Sequence, residues 1–146
     1  MNSSDIPEGF APDVQKSPIT DPWEPLYSKR TEKAVVLGLR VAKPHTNQQG
    51  LVHGGLIATL ADSAMAYSCR QVMGSWASWM ATISLTVDFV GPAQIGQWLT
   101  VESDVIKTGK TICFAQSLIK ADNSVIARAN ATFRVVAKHQ SDTHPR

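Results

Sequence analysis

The sequence predicts an α+β domain in which an antiparallel sheet wraps around one long helix. Three observations carry that prediction. An unbroken, proline-free run rich in Ala, Leu and Met extends from Leu56 to Met73. Beyond it the hydrophobic period switches from helical to two. Turn signals then divide the remainder into segments of strand length. At 146 residues and 43% hydrophobic content, the chain fits one domain with a substantial core.

Taken in order, residues 1–30 are rich in proline (Pro7, Pro12, Pro18, Pro22, Pro25) and read as an extended or partly helical arm, with Trp23 and Tyr27 as candidate anchors. The folded domain is expected over 31–137 and a flexible tail over 138–146. Ala34–Val41 is β-rich and forms the first strand. A polar loop from Lys43 to Gly50 leads through Leu51-Val52-His53-Gly54-Gly55 into the helix, which ends near Gly74. Ala81, Ile83, Leu85, Val87 and Phe89 alternate with polar residues until Gly91-Pro92. Leu99, Val101 and Val105 carry the next strand. Lys107-Thr108-Gly109-Lys110 turns into Ile112, Phe114 and Leu118, and Asp122-Asn123-Ser124 turns into the last strand. The expected order is strand, helix, then four hairpin-connected strands. Twenty helical residues span roughly 30 Å, and a helix apolar on every side is expected to be enclosed by the sheet.

Composition excludes several roles. Charged residues make up 18% and the net charge is +2, which leaves no broad basic surface for nucleic acid. The N-terminus has neither the basic start nor the apolar core of a secretory signal. No apolar run is long enough to cross a bilayer, so neither a membrane partner nor a location outside the cytoplasm is expected. Cys69 and Cys113 lack a CxxC pattern and read as buried, reduced thiols. His45, His53 and Asp62 do not match zinc-ligand spacings, so no metal is expected. There is no GxSxG and no GxGxxG. Gly109-Lys110-Thr111 imitates the end of a phosphate-binding loop, but Asp104 stands where the earlier glycine is required.

Two features point to chemistry. Between Gly54 and Cys69 the only acid is Asp62, flanked one turn away by Ala58, Thr59, Met65 and Ala66. Burying a carboxylate costs several kcal/mol unless it is paired or neutralised. General-base or nucleophilic work would explain it, and so would a water-facing side chain or one that ties down a loop. The second feature is His53-Gly54-Gly55 at the helix mouth. Unpaired N–H groups at a helix N-terminus, with no Cβ in the way, make an oxyanion hole. A plain tight turn would also use two glycines, and Asn47 would serve equally as a turn cap.

Asn47-x-x-Gly50-x-x-His53-Gly54-Gly55, followed by Thr59-Leu60-Ala61-Asp62, resembles the hotdog thioesterases of the phenylacetate-pathway, PaaI-like type. The resemblance continues through Val87–Ala93, Gly96 and Lys107-x-Gly109-Lys110, and spans about Leu37 to Val136. It implies the hotdog fold, hydrolysis of acyl-CoA, a homodimer with two sites across its interface, and pairing of dimers into a homotetramer. It implies Asp62 as base or nucleophile from one subunit, with Asn47, His53 and the Gly54 N–H from the other polarising the carbonyl. Thr82 would help hold the attacking water. Gly55, Lys107, Thr108, Gly109, Lys110 and Arg134 would bind substrate or its CoA portion. No cofactor is implied, since coenzyme A is part of the substrate. Two other readings remain: an acyl-CoA-binding hotdog module without turnover, and a hotdog dehydratase acting on hydroxyacyl thioesters. Met65, Met73, Trp76, Trp79 and Met80 are candidates for an acyl pocket or for core.

Overall fold

The computed structural model describes residues 5–75 and 77–137. The expected tail, residues 138–146, lies outside the described residues. Strands β1 (Ala11–Pro12), β2 (Tyr27–Arg30) and β3 (Val35–Arg40) precede helix α1 (Gly54–Met73). Strands β4 (Ala77–Phe89), β5 (Trp98–Thr108), β6 (Ile112–Ala121) and β7 (Ser124–Ala137) follow it. All pairings are antiparallel, in one seven-stranded sheet of order β1-β2-β3-β5-β6-β7-β4. The α+β class and the single long helix are as expected from sequence.

Sequence and structure part at two places. The last four strands are not all joined by hairpins. The turns at Gly109 and Asp122-Asn123 make β5-β6 and β6-β7 hairpins, but β4 pairs with β7 at the far edge and β5 lies beside β3. The segment after Gly91-Pro92 makes the crossing past the helix N-terminus, where Val52 N–H donates to the Ala93 carbonyl at 2.9 Å. Pattern shows where strands are, but order depends on which distant edges meet.

The proline-rich segment also contributes strands, since Tyr27–Arg30 pairs with Val35–Gly38 and extends the sheet. Tyr27 is buried and its ring lies 5.7 Å from that of Trp98. Phe10 meets Trp98 edge-on at 5.2 Å, in a space that exists because residue 38 is glycine.

The long helix packs against the sheet as expected, on one face, and leaves a strip of its surface partly open. Leu56, Ile57, Leu60, Ala61, Ala64, Met65 and Cys69 are buried against it, whereas Ala58, Thr59, Asp62, Ser63, Ala66, Tyr67 and Arg70 stay partly open. The close approach comes from small inward residues on the strands, including Ala115, Ala127, Ala129 and Ala131. Ser68 is satisfied inside this core, accepting the Val35 N–H at 3.0 Å. Cys69 and Cys113 are both fully buried free thiols. The Cys69 thiol is pushed up by its hydrogen bond to Cys113 and by burial.

Candidate active site

Asp62 sits on the half-buried strip of α1, eight residues after Gly54. Its Oδ1 accepts a 2.7 Å hydrogen bond from the Thr82 hydroxyl. A slip in β4 creates that contact. Thr82 lies opposite Phe133 and Ser84 opposite Thr132, so Ile83 is an extra residue in the ladder. Opposed residues share a face, and Phe133 is fully buried against the helix. Thr82 therefore faces the helix together with Leu85, Val87 and Phe89, which pair with Ala131, Ala129 and Ala127. Unbroken alternation from Ala81 to Phe89 would have turned Thr82 away.

At the helix mouth, His53 is the N-cap and its Nδ1 accepts the Gly55 N–H at 2.8 Å. That bond puts the ring proton on Nε2, an exposed donor. It also occupies the Gly55 amide. The Gly54 N–H, by contrast, has no acceptor among the described residues. The Phe89 ring lies where a Cβ on Gly54 would come within 3.1 Å of it.

Asn47 shapes the preceding loop. Its Oδ1 accepts from Gln49 N–H at 2.9 Å and Leu51 N–H at 3.1 Å. With the oxygen so engaged, the amide NH₂ is left as a donor pair. Turn capping and donation to a ligand are thus compatible for this residue. His45 supports the mouth from below. It is buried, accepts from Ala42 N–H at 2.9 Å through Nδ1, and bonds the Trp23 carbonyl at 3.0 Å through Nε2. Its own carbonyl accepts the His53 N–H at 2.9 Å. Spacing alone gave no signal of this role. Among the described residues, no group of His, Cys, Asp and Glu is arranged to hold a metal.

The expected CoA-binding residues cluster apart from Asp62. Lys107, Thr108, Gly109 and Lys110 are exposed at the β5-β6 turn, and Arg134 is exposed on β7 opposite both Ile112 and Ala81. That register puts Arg134 on the outer face of the sheet, beside Lys107 and Phe114. None of these cations forms a salt bridge among the described residues. Of the acyl-pocket candidates, Met65 is wholly core, Met73 and Met80 pack against the core, and Trp79 is half-exposed. Trp76 lies outside the described residues.

Residues 49–138 match the thioesterase superfamily. The chain belongs to the thioesterase superfamily. A putative esterase of Pseudomonas aeruginosa is 34% identical over 135 residues, covering 89% of this chain and 97% of that one. Human acyl-coenzyme A thioesterase 13 is 32% identical over 102 residues, covering 67% and 70% of the two chains. The fold matches that of a point mutant of the phenylacetic acid degradation protein PaaI from Thermus thermophilus. That match has a TM-score of 0.72 at 18% identity, with 82% of this chain and all (100%) of that chain covered.

A thioesterase must supply an attacking group and donors for the oxygen that becomes negative. Asp62 and the Gly54 N–H are the candidates for these two parts, and they lie far apart. Eight residues of α1 separate Asp62 from the Gly54 amide, roughly 12 Å along the axis. No single carbonyl group touches both within one protomer.

Proposed function

We propose that this thioesterase hydrolyses acyl-CoA to free acid and coenzyme A at two equivalent sites formed between protomers. The observation that carries the reading is the separation of an oriented Asp62–Thr82 pair from an unpaired Gly54 N–H on the same helix. A second copy resolves it, each mouth facing the other protomer's acid. The strand that would bring them together is β4. It is an edge strand that carries the exposed Trp79, Ile83, Leu85 and Phe89. A long apolar edge of this kind is stabilised by pairing, and a two-fold pairs it with its own copy.

In this reading Asn47, His53 and the Gly54 N–H of the partner subunit polarise the thioester carbonyl. Asp62, held by Thr82, either takes a proton from the attacking water, or attacks the carbonyl carbon itself and expels the CoA thiolate, giving a mixed anhydride that water hydrolyses to the free acid and the restored carboxylate. On the water route the new C–O bond forms as the proton passes to Asp62. The C–S bond then breaks, and the thiolate recovers a proton. Lys107, Lys110 and Arg134 offer cations to the nucleotide phosphates, with Thr108 and Gly109 giving backbone access and Gly55 keeping the mouth open. Dimers pair further into a homotetramer through the outer face, where Phe114, Leu118 and Val125 are exposed. The site is cytoplasmic. Among the described residues no helix is long and apolar enough to cross a membrane.

The test is thiol release from a panel of acyl-CoAs by the parent and by Asp62→Ala, with oligomeric state checked by light scattering. Turnover should collapse in the variant while the assembly survives. Parent-level turnover in Asp62→Ala would remove the acid from the mechanism. Tight binding without turnover would point instead to a sensor, and an enoyl product to a dehydratase.

A further inference from the structure

A second cluster of polar groups lies at the other end of the helix strip. A cavity of about 170 Å³ opens between the proline-rich segment, β2 and the last turns of α1. Its side-chain lining includes Gln15, Arg30, Tyr67, Arg70 and Gln71, and none of its lining residues is acidic. Neither arginine forms a salt bridge among the described residues. Arg30 is pre-positioned, its guanidinium donating to Gln71 Oε1 at 3.3 Å, while Gln71 Nε2 in turn donates to the Thr31 carbonyl at 3.2 Å. Arg70 Nε is buried without a hydrogen-bond partner. A cation in the last helical turn complements the helix dipole, but that accounts for neither a second arginine nor the space between them.

One residue of the cavity's lining, Arg70, shares a helix row with the acid. Asp62, Ala66 and Arg70 are spaced i, i+4, i+8 and so form one row on the helix, all three partly open. The middle position is the small one, so this row carries no large side chain between carboxylate and guanidinium. The Cα atoms of Asp62 and Arg70 are roughly 12 Å apart along the axis. Tyr67 lines the cavity. Its phenol is raised above the ordinary value of 10.0 by burial first and then by the charge of Asp13, and the Asp62 charge contributes as well. The cavity's volume equals that of about five or six waters, sufficient for a carboxylate and a methylene or two.

We propose that this cavity binds a carboxylate at the far end of the acyl group, so that the substrates are CoA monothioesters of short dicarboxylic acids. The inference rests on the acyl-CoA reading above and adds the class of acyl group. Arg30 and Arg70 recognise the distal anion, Gln15, Gln71 and Tyr67 complete its polar surroundings, and Ala66 leaves room for the methylenes.

The test compares kcat/KM for adipyl-CoA with hexanoyl-CoA, and for glutaryl-CoA with pentanoyl-CoA, in the parent, Arg70→Gln and Arg30→Gln. Calorimetric titration of free adipate into the full chain and into Asp62→Asn gives a readout independent of turnover. The parent should favour the carboxylated thioester by about tenfold or more, since ion-paired hydrogen bonds are the strong ones. That ratio should fall severalfold in each arginine variant. Adipate should bind the parent and Asp62→Asn alike, and not Arg70→Gln. Equal kcat/KM for the two members of each pair, together with no adipate binding, would overturn the carboxylate site and leave the hydrolase reading standing. Adipate binding that depends on Arg70, in a protein that hydrolyses no acyl-CoA, would support the site and remove the hydrolase reading.

Discussion

Replacing Thr82 with valine removes one hydroxyl and nothing else of comparable size, so it isolates the contact that aims Asp62. The bond is short, 2.7 Å from Thr82 Oγ1 to Asp62 Oδ1, and a hydrogen bond to a charged group is worth about 1.5–3 kcal/mol. Thr82 is exposed and Asp62 half-buried in the isolated protomer, so solvent competes and the lower end of that range applies. At 1.36 kcal/mol per factor of ten, losing the aim of the carboxylate lowers kcat by roughly tenfold. KM should change little if the hydroxyl acts only on the attacking group. Valine suits a strand, so the urea midpoint should shift by less than that of a core substitution. The assay is thiol release under saturating acyl-CoA, with Thr82→Ser as the rescue variant. A kcat for Thr82→Val within twofold of the parent, in a protein of unchanged oligomeric state, would refute the role given to the Ile83 bulge.

Three further outcomes are expected. Mixing Asp62→Ala protomers with Asn47→Ala protomers, each inactive alone, should restore about a quarter of parental activity after subunit exchange. Half of randomly formed dimers are mixed, and each carries one intact site; no recovery despite exchange would place the site within one protomer. Gly38→Ala puts a methyl group into the rings of Trp98 and Phe10, so it should cost about 1–3 kcal/mol in urea unfolding, and an unchanged midpoint would show that the segment around Phe10 yields freely. Cys69 and Cys113 are both 0% exposed, so a thiol reagent should label them only as fast as the protein opens. Immediate labelling of the native protein would contradict that packing.

The local parts of this fold were written in contiguous residues. Leu56–Met73 has no proline and ends before Gly74, so the helix was legible nearly to the residue. Asp122-Asn123 has the positive φ values, 46° and 70°, that such turn residues tolerate, and Lys107–Lys110 likewise marks a turn. The lone acid at 62 and the glycines at the helix mouth were visible for the same reason, because an unusual residue type in a regular stretch needs no partner to be noticed. Tertiary structure alone decided the rest. Pairing β4 with β7 leaves it at an edge with apolar side chains uncovered, and one extra residue at Ile83 reverses the parity that aims Thr82 at Asp62. The strand Tyr27–Arg30, the buried bonds of His45 and the placing of Arg30 and Arg70 at one cavity all join segments far apart in the chain. Propensity and period record what a residue's neighbours in sequence require, whereas strand order, parity after a bulge and convergent charges are set by contacts between distant segments.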